Sequence, residues 1–293
     1  MIYRVRHRTR LAYAAPVANA QFNLRLQPAT WAGQTLRRYQ LTLTPPAVEQ
    51  HDLSGPYWVV TTSVAIAASF TRLDVLSEFE MAVQPRSAIG AGPSLDAVRA
   101  AALAVPDISP LATAPYLFAS RIAAMEDEIA RWAAPVLNGE GGIVELASAL
   151  GRAIHQQFTY QPGSTTSATR PIEAFHQRSG VCQDFAHVMI IALRAAGIPA
   201  AYASGYLRTR PPPGRPRLVG ADAMHAWVNV WCGPDLGWVG FDPTNDCLAG
   251  DGHIQIGMGR DYADVAPIDG TFIGSAPQKL TTEVDVEPLD ETA

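Results

Sequence analysis

Lysine is almost absent from this chain: Lys279 is the only one in 293 residues, so nearly all basic charge is carried by arginine. Basic residues number 22 and acidic residues 27, for a formal charge of −5. That balance lacks the basic excess needed to neutralise a phosphate backbone, so no nucleic-acid partner is expected. Cysteine is scarce as well. Three thiols, an odd number with no C-x-x-C spacing, argue against a disulfide framework and for a reducing compartment, read as the cytoplasm. No uncharged apolar run reaches 18 residues, and the opening MIYRVRHRTRLAY has no continuous apolar stretch. Neither a membrane span nor a signal peptide is predicted, and no membrane partner is expected. The H-E-x-x-H, G-x-S-x-G, Walker A and complete G-x-G-x-x-G patterns are all missing. Zinc-peptidase, serine-hydrolase and nucleotide chemistry therefore lack sequence support, and no cofactor and no metal is expected.

What remains is a chain with enough apolar content, 48% against 17% charged, to bury a core in roughly two domains. Residues 1–88 read as strands. Tyr3, Val5, His7 and Thr9 alternate with Arg4, Arg6, Arg8 and Arg10, which puts the arginines on one solvated face of a sheet. Short alternating segments separated by turn clusters such as Pro45-Pro46 suggest a β-sandwich. Residues 89–114, rich in Gly, Ala and Pro, read as a linker or crossover with one short helix near Leu95–Ala104. The period then changes. Phe118, Ile122, Met125, Ile129, Trp132 and Val136 predict one face of an amphipathic helix, and Ile143, Leu146, Leu150, Ile154 and Phe158 a second. Pro171 opens a short third one. A core is expected over 115–280, and the acidic C-terminal segment 281–293 is expected to form a late strand and a loose tail. The fold class is thus α+β, a β-sandwich followed by a helix-and-sheet core.

The chemistry concentrates in three places. Gly180-Val181-Cys182-Gln183-Asp184 runs into the apolar helix Phe185–Arg194, ended by Gly197 and Pro199. Cys182 therefore opens a helix, where unpaired N–H groups favour a thiolate. His187, five residues on, is turned about 140° away from Cys182 and is a poor partner; it is expected to pack structurally or to bond Asp184. His225 starts a strand after the loop Pro211-Pro212-Pro213-Gly214. Asp242 ends the next strand across a hairpin, near enough to hold the imidazole. The Cys182 N–H is a natural oxyanion donor, with Tyr160 and Gln177 as candidates for a second. Trp227, Asp184, Tyr160, Asp261 and Tyr262 are candidates for the substrate cleft, each with a packing or capping role as the alternative. Cys232 reads as a small buried hydrophobe and Cys247 as incidental.

The runs GVCQDFAHVMIIALRAAGIPAAYASGYL, DAMHAWVNVW and GWVGFDPTN resemble the bacterial transglutaminase-like superfamily over about residues 140–275, and GRDYADVAPIDG is similar to a stretch typical of that group. Met224 departs from the Ser that relatives often carry before the His. The β-rich first part resembles the domain that often precedes this core. The resemblance implies a papain-like core, with Cys182 as nucleophile, His225 as base and Asp242 as orienting acid. The expected activity is thiol-dependent hydrolysis of peptide, isopeptide or amide bonds on a peptide or protein substrate. Acyl transfer to an amine by the same triad is the alternative, and a non-catalytic peptide-binding module the third. Oligomeric state stays open.

Overall fold

The computed structural model describes residues 1–85, 88–209, 223–275 and 277–289. In chain order its elements are β1 (Ile2–Leu24), β2 (Gln34–Thr44), β3 (Glu49–Leu53), β4 (Thr61–Ile66), β5 (Phe70–Val83) and α1 (Leu95–Ala104). Then come α2 (Asp127–Leu137), α3 (Ile143–Gln157), β6 (Thr159–Tyr160), α4 (Pro171–Gln177), β7 (Ser179–Gly180) and α5 (Cys182–Ala195). The last are β8 (Ala200–Leu207), β9 (Met224–Trp231), β10 (Trp238–Asp242), β11 (Cys247–Leu248), β12 (His253–Gly259), α6 (Tyr262–Val265), β13 (Ile268–Ile273) and β14 (Gln278–Pro288). The expected α+β organisation holds. The loop Pro211–Gly214, expected before His225, lies outside the described residues.

The β-rich unit is one curled sheet organised by β1. Strand order is β2-β5-β1-β4-β3, with β13 and β14 also paired to β1. The register of β1 on β5 shifts between Ala12 and Val17. Beyond that irregularity β1 pairs with β4 and β13 instead. Side chains of both halves, Leu73 and Val75 from one and Val64 and Ile66 from the other, meet in a single apolar cluster. The alternation read from the first residues is borne out: Tyr3, Val5, His7 and Thr9 are buried while the arginines face outward.

Three boundary expectations need correction. The late strand expected from Thr281 starts earlier and replaces the tail through Pro288: β14 runs along β1 from Tyr3↔Pro288 to Tyr13↔Gln278, burying Val284 and Val286. Its acids face the arginine row, with Arg10 to Glu283 at 2.9 Å and Arg4 to Glu287 at 3.5 Å. The β-rich unit is therefore completed from the far end of the chain and does not stop at residue 88. Nor is 89–114 a slack linker. The carbonyls of Ala91 and Pro93 take the N–H groups of Val144 and Ile143 at the start of α3, and Val98 and Ala102 are buried.

The helix predicted from Phe118 starts only at Asp127. Residues 117–126 form turns instead, with Phe118 and Met125 exposed. Buried Arg194 donates to the carbonyl of Phe118 and to Ser120 Oγ, and Asp261 accepts from the N–H of Ile122 at 2.7 Å. These long-range bonds take the backbone groups that a helix would pair internally, which overrides the 3.6-residue pattern.

The core is a five-stranded antiparallel sheet in the order β11-β10-β9-β8-β12, packed on α5. From Asp184 to Arg194, α5 is buried all round and not only along the predicted stripe, because α2, α3 and α4 cover its remaining sides. The two sheets meet through Tyr3, Val5 and Phe79 against Tyr206, Ile254 and Ile256. Two polar clamps reinforce the contact. His7 Nδ1 lies 2.7 Å from the Tyr206 hydroxyl, and Gln34 bonds both the carbonyl of His253 and the N–H of Gln255. Among the described residues no helix is long and apolar enough to cross a membrane.

Candidate active site

The start of α5 is built to present Cys182. Val181, extended at φ −119°, is the cap residue, and its N–H donates to Asp184 Oδ2 at 2.8 Å. Thr165 donates to the same oxygen at 2.6 Å. A Cβ on Gly180 would sit 2.7 Å from that carboxylate, so only glycine leaves room for the cap. A short parallel ladder pairs Tyr160 with Gly180, which brings Tyr160 beside the thiol. Burial, and the Cys182 charge near it, raise the Tyr160 hydroxyl above its ordinary value.

On the sheet, β9 and β10 form the expected hairpin, with Trp238 opposite Trp231 and Phe241 opposite Val228. Asp242 is then one step beyond Phe241 and diagonal to His225. His225 Nε2 and Asp242 Oδ2 are 2.7 Å apart, with side-chain exposures of 9% and 0%. Cys182 lies close enough to His225 to act on its titration together with Asp242. Burial alone would lower the imidazole's pKa; its bonds to Asp242 and Cys182 outweigh that and raise it to about 10. Burial would likewise raise Asp242, but its donors hold it well below the ordinary carboxylate range. The structure thus brings the sulfur, imidazole and carboxylate into one chain of contacts.

The other expected positions divide. Tyr160 is about half exposed, 51%, and Tyr262 is partly exposed, its ring against Tyr202. Asp184, Trp227 and Asp261 are not open cleft walls: each is at most 2% exposed. Asp184 caps α5, and Asp261 caps α6 through the N–H of Ala263 while holding Ile122. The Trp227 indole lies where a Cβ on Gly205 would be, 2.6 Å from its ring. His187 does not bond Asp184 as one expectation had it. Its Nε2 accepts from the Tyr262 N–H at 3.2 Å, and its ring lies against Tyr202. Burial pushes it down to about 4. Gln177 is exposed at the end of α4. Cys232 is buried in the core cluster. Cys247 is pushed up to about 11 by burial and by Asp242 and Asp246.

Two residues that the sequence reading passed over complete the carboxylate's surroundings. Asn245 Nδ2 donates to Asp242 Oδ2 at 2.6 Å, and the N–H groups of Thr244 and Asn245 donate to Oδ1 at 2.9 and 3.2 Å. His253 Nε2 lies 3.0 Å from Oδ2. The Asn245 signal was available, since Asp242-Pro243-Thr244-Asn245 is a turn sequence in which a carboxylate bonds the backbone two residues on. His253 carried no such local signal. His225, Asp242 and His253 offer three ligand atoms within 4.8 Å, a spacing that would suit a cation. Their protonation opposes it: the Gly250 N–H donates to His253 Nδ1 at 3.2 Å, so Nε2 carries the proton and has no free lone pair.

Comparison with known proteins agrees with this architecture. Residues 130–243 match the profile of the transglutaminase-like superfamily, and residues 3–82 that of the bacterial transglutaminase-like N-terminal region. An uncharacterised protein of Mycobacterium bovis is 35% identical over 300 residues, covering 99% of this chain and 94% of its own. One of Mycobacterium leprae is 34% identical over 295 residues, 98% of each chain. A protein-glutamine gamma-glutamyltransferase of Pseudomonas aeruginosa is 39% identical over 102 residues, 34% of this chain and 15% of that one. Among solved structures, a candidate cysteine protease from Cytophaga hutchinsonii has a TM-score of 0.75 at 22% identity, over 100% of this chain and 92% of that one, and so shares the fold.

Proposed function

The chain belongs to the transglutaminase-like superfamily, and on that premise we propose that it hydrolyses peptide, isopeptide or side-chain amide bonds through an acyl-enzyme on Cys182. The carrying observation is the arrangement itself: a thiol opening a buried helix, close enough to an imidazole to act on its titration, with that imidazole's Nε2 2.7 Å from a donor-saturated carboxylate. In that setting the thiol proton passes to His225, and Asp242 stabilises the imidazolium. Cys182 Sγ attacks the amide carbon. The oxyanion takes the Cys182 N–H, which no carbonyl of its own helix can accept, with the Tyr160 hydroxyl as the second donor. His225 then gives its proton to the leaving nitrogen as the C–N bond breaks. Water, losing a proton to His225, cleaves the thioester and releases the acid.

A second reading is favoured by one observation, the likeness of about a third of the chain to the glutamyltransferase of Pseudomonas aeruginosa. There an amine replaces water at the thioester of a glutamine side chain, and the triad is unchanged. The partner in both readings is a peptide or protein.

Cys182→Ala should abolish turnover, a loss of at least about a thousandfold, with thermal stability nearly intact. Iodoacetamide should label Cys182 at pH 7, far faster than buried Cys232. Glutaminyl peptides and dipeptides, with and without a primary amine, separate the two readings by ammonia release or amine incorporation. Full turnover in Cys182→Ala, or equal labelling of all three thiols, would remove the nucleophile.

A further inference from the structure

The Asp242 carboxylate is addressed by more than its catalytic neighbour, and the most distant of its donors comes from another part of the sheet. In the strand order, β9 and β8 stand between β10 and β12, yet His253 at the start of β12 places Nε2 3.0 Å from Asp242 Oδ2. The ring is held from every side. The Gly250 N–H fixes its tautomer through Nδ1. Trp227 meets it edge-on at 5.2 Å between centroids. Its backbone carbonyl accepts from Gln34 of the β-rich unit at 3.3 Å. A side chain 8% exposed, with both nitrogens committed, is not a surface histidine.

A carboxylate tied only to His225 could rotate about its own χ2 and trade one oxygen for the other. Here Oδ1 is pinned by two backbone N–H groups, and Oδ2 by three side-chain donors: His225, Asn245 and His253. We infer that His253 is a positioning residue: it holds Asp242 ionised and oriented toward His225, and through Gln34 it links the β-rich unit to the triad. The inference rests on the Cys182–His225 reading, so its test must tell the two apart.

The measurement is the rate of Cys182 alkylation by iodoacetamide in the full chain, from pH 4 to 9, for wild type and variants. His253→Phe keeps an aromatic ring against Trp227 but removes the donor; His253→Gln restores an N–H near the position of Nε2. His253→Phe should slow alkylation at pH 7 by about tenfold, the effect of one bond to a charged group. Its acid limb should also move to higher pH, because a carboxylate with one donor fewer protonates more readily. His253→Gln should return both rate and limb toward wild type. A packing role would lower folded yield without moving the limb. An unshifted limb in His253→Phe, or no rescue by Gln, overturns the inference. Should His253→Phe not fold, His253→Ala, which removes the same donor without bulk, is read in its place. His225→Ala is the control. If it alkylates like wild type, the activated thiol is what fails; if it slows while His253→Phe tracks wild type, only the positioning role fails.

Discussion

Each of the two large sheets holds a carboxylate against a cation at hydrogen-bond distance, with opposite consequences. In the β-rich unit Arg10 Nε lies 3.0 Å from Asp74, with side chains 33% and 23% exposed. In the core His225 Nε2 lies 2.7 Å from Asp242, at 9% and 0%. The distances barely differ; the surroundings do. Around the first pair water competes for both charges and mobile counter-ions screen them. Around the second, protein donors replace water, and neither group can leave its partner without a large penalty. The buried histidines sharpen the contrast. His7 of the β-rich unit is bonded to the hydroxyls of Tyr206 and Thr9, and burial pushes it down to about 4. His225, somewhat less buried and beside a carboxylate and a thiol, is pushed up to about 10. Burial alone makes an imidazole inert; burial beside a charge makes it a usable base.

The strongest way to break the contrast is to remove the charge and keep the shape. In Asp242→Asn burial becomes the dominant influence on His225, which should then behave as His7 does and stay neutral at pH 7. Alkylation of Cys182 at that pH should fall at least about a hundredfold, the range lost with a general base. Stability should drop by about 3 kcal/mol, since several donors would face an amide that accepts through one oxygen only. The ring-proton chemical shifts of His225 across pH 5–9 report its charge. An imidazolium signal persisting at pH 8 in the variant would contradict this account.

How much of this the chain announces differs between the same two regions. Strand alternation at the N-terminus was legible because Arg and apolar residues strictly alternate and one face of the sheet is solvated. The hairpin carrying His225 and Asp242 was legible because Gly233-Pro234-Asp235-Leu236 joins two runs of strand formers. Cys182 at a helix start followed from Gly180 before it and the apolar run behind it. The turns at 117–126 were not legible. Their apolar spacing is helical, and the groups that override it, Arg194 and Asp261, are some 75 and 140 residues away in the chain. The closing strand β14 was legible only as a late strand running into a loose tail, because its acids dominate the composition. Val284 and Val286 between Glu283, Asp285 and Glu287 were the signal, and its meaning depends on an arginine row nearly the whole chain away. His253 belongs with these: only the assembled sheet brings it to Asp242.

Acid reaches both regions together, through stability and not through the triad's reactivity. His7 and His187 are held down to about 4 by burial, whereas the unfolded chain takes up its protons near 6.5. Folding stability should therefore fall as the pH drops from 6.5 to 4, by roughly 3 kcal/mol for each of the two. His225 works in the other direction. Raised above its unfolded value, it contributes fully below 6.5, and that contribution is lost as the pH climbs through about 10. Asp242, held low, adds little between 6.5 and 4, because its contribution is lost only as the pH falls through the unfolded carboxylate's value of 3.8 and below. Urea unfolding at pH 7.0, 5.5 and 4.5 measures the slope. A curve flat over that range would mean that the two imidazoles are protonated while still buried.

The smallest effect is expected where the contact map looks richest. Arg10 bridges Asp74 at 3.0 Å and Glu283 at 2.9 Å, tying β5, β1 and β14 together, and Arg72 also holds Asp74. Counted as bonds, this would be among the best-secured places in the molecule. Counted as free energy it should be among the weakest, because each cation exchanges one set of polar partners for another at a wet surface and gives up side-chain freedom to do so. Arg10→Ala should cost at most about 1 kcal/mol in urea unfolding, and the difference should shrink in about 0.5 M salt as screening shortens the reach of the charges. The strand alignment does not depend on it, since Leu11, Tyr13 and Val5 from β1 stay buried against apolar partners whichever residue occupies position 10. A loss of 3 kcal/mol that salt leaves unchanged would put Arg10 in the same class as Asp242, and exposure would then no longer be what separates the two pairs.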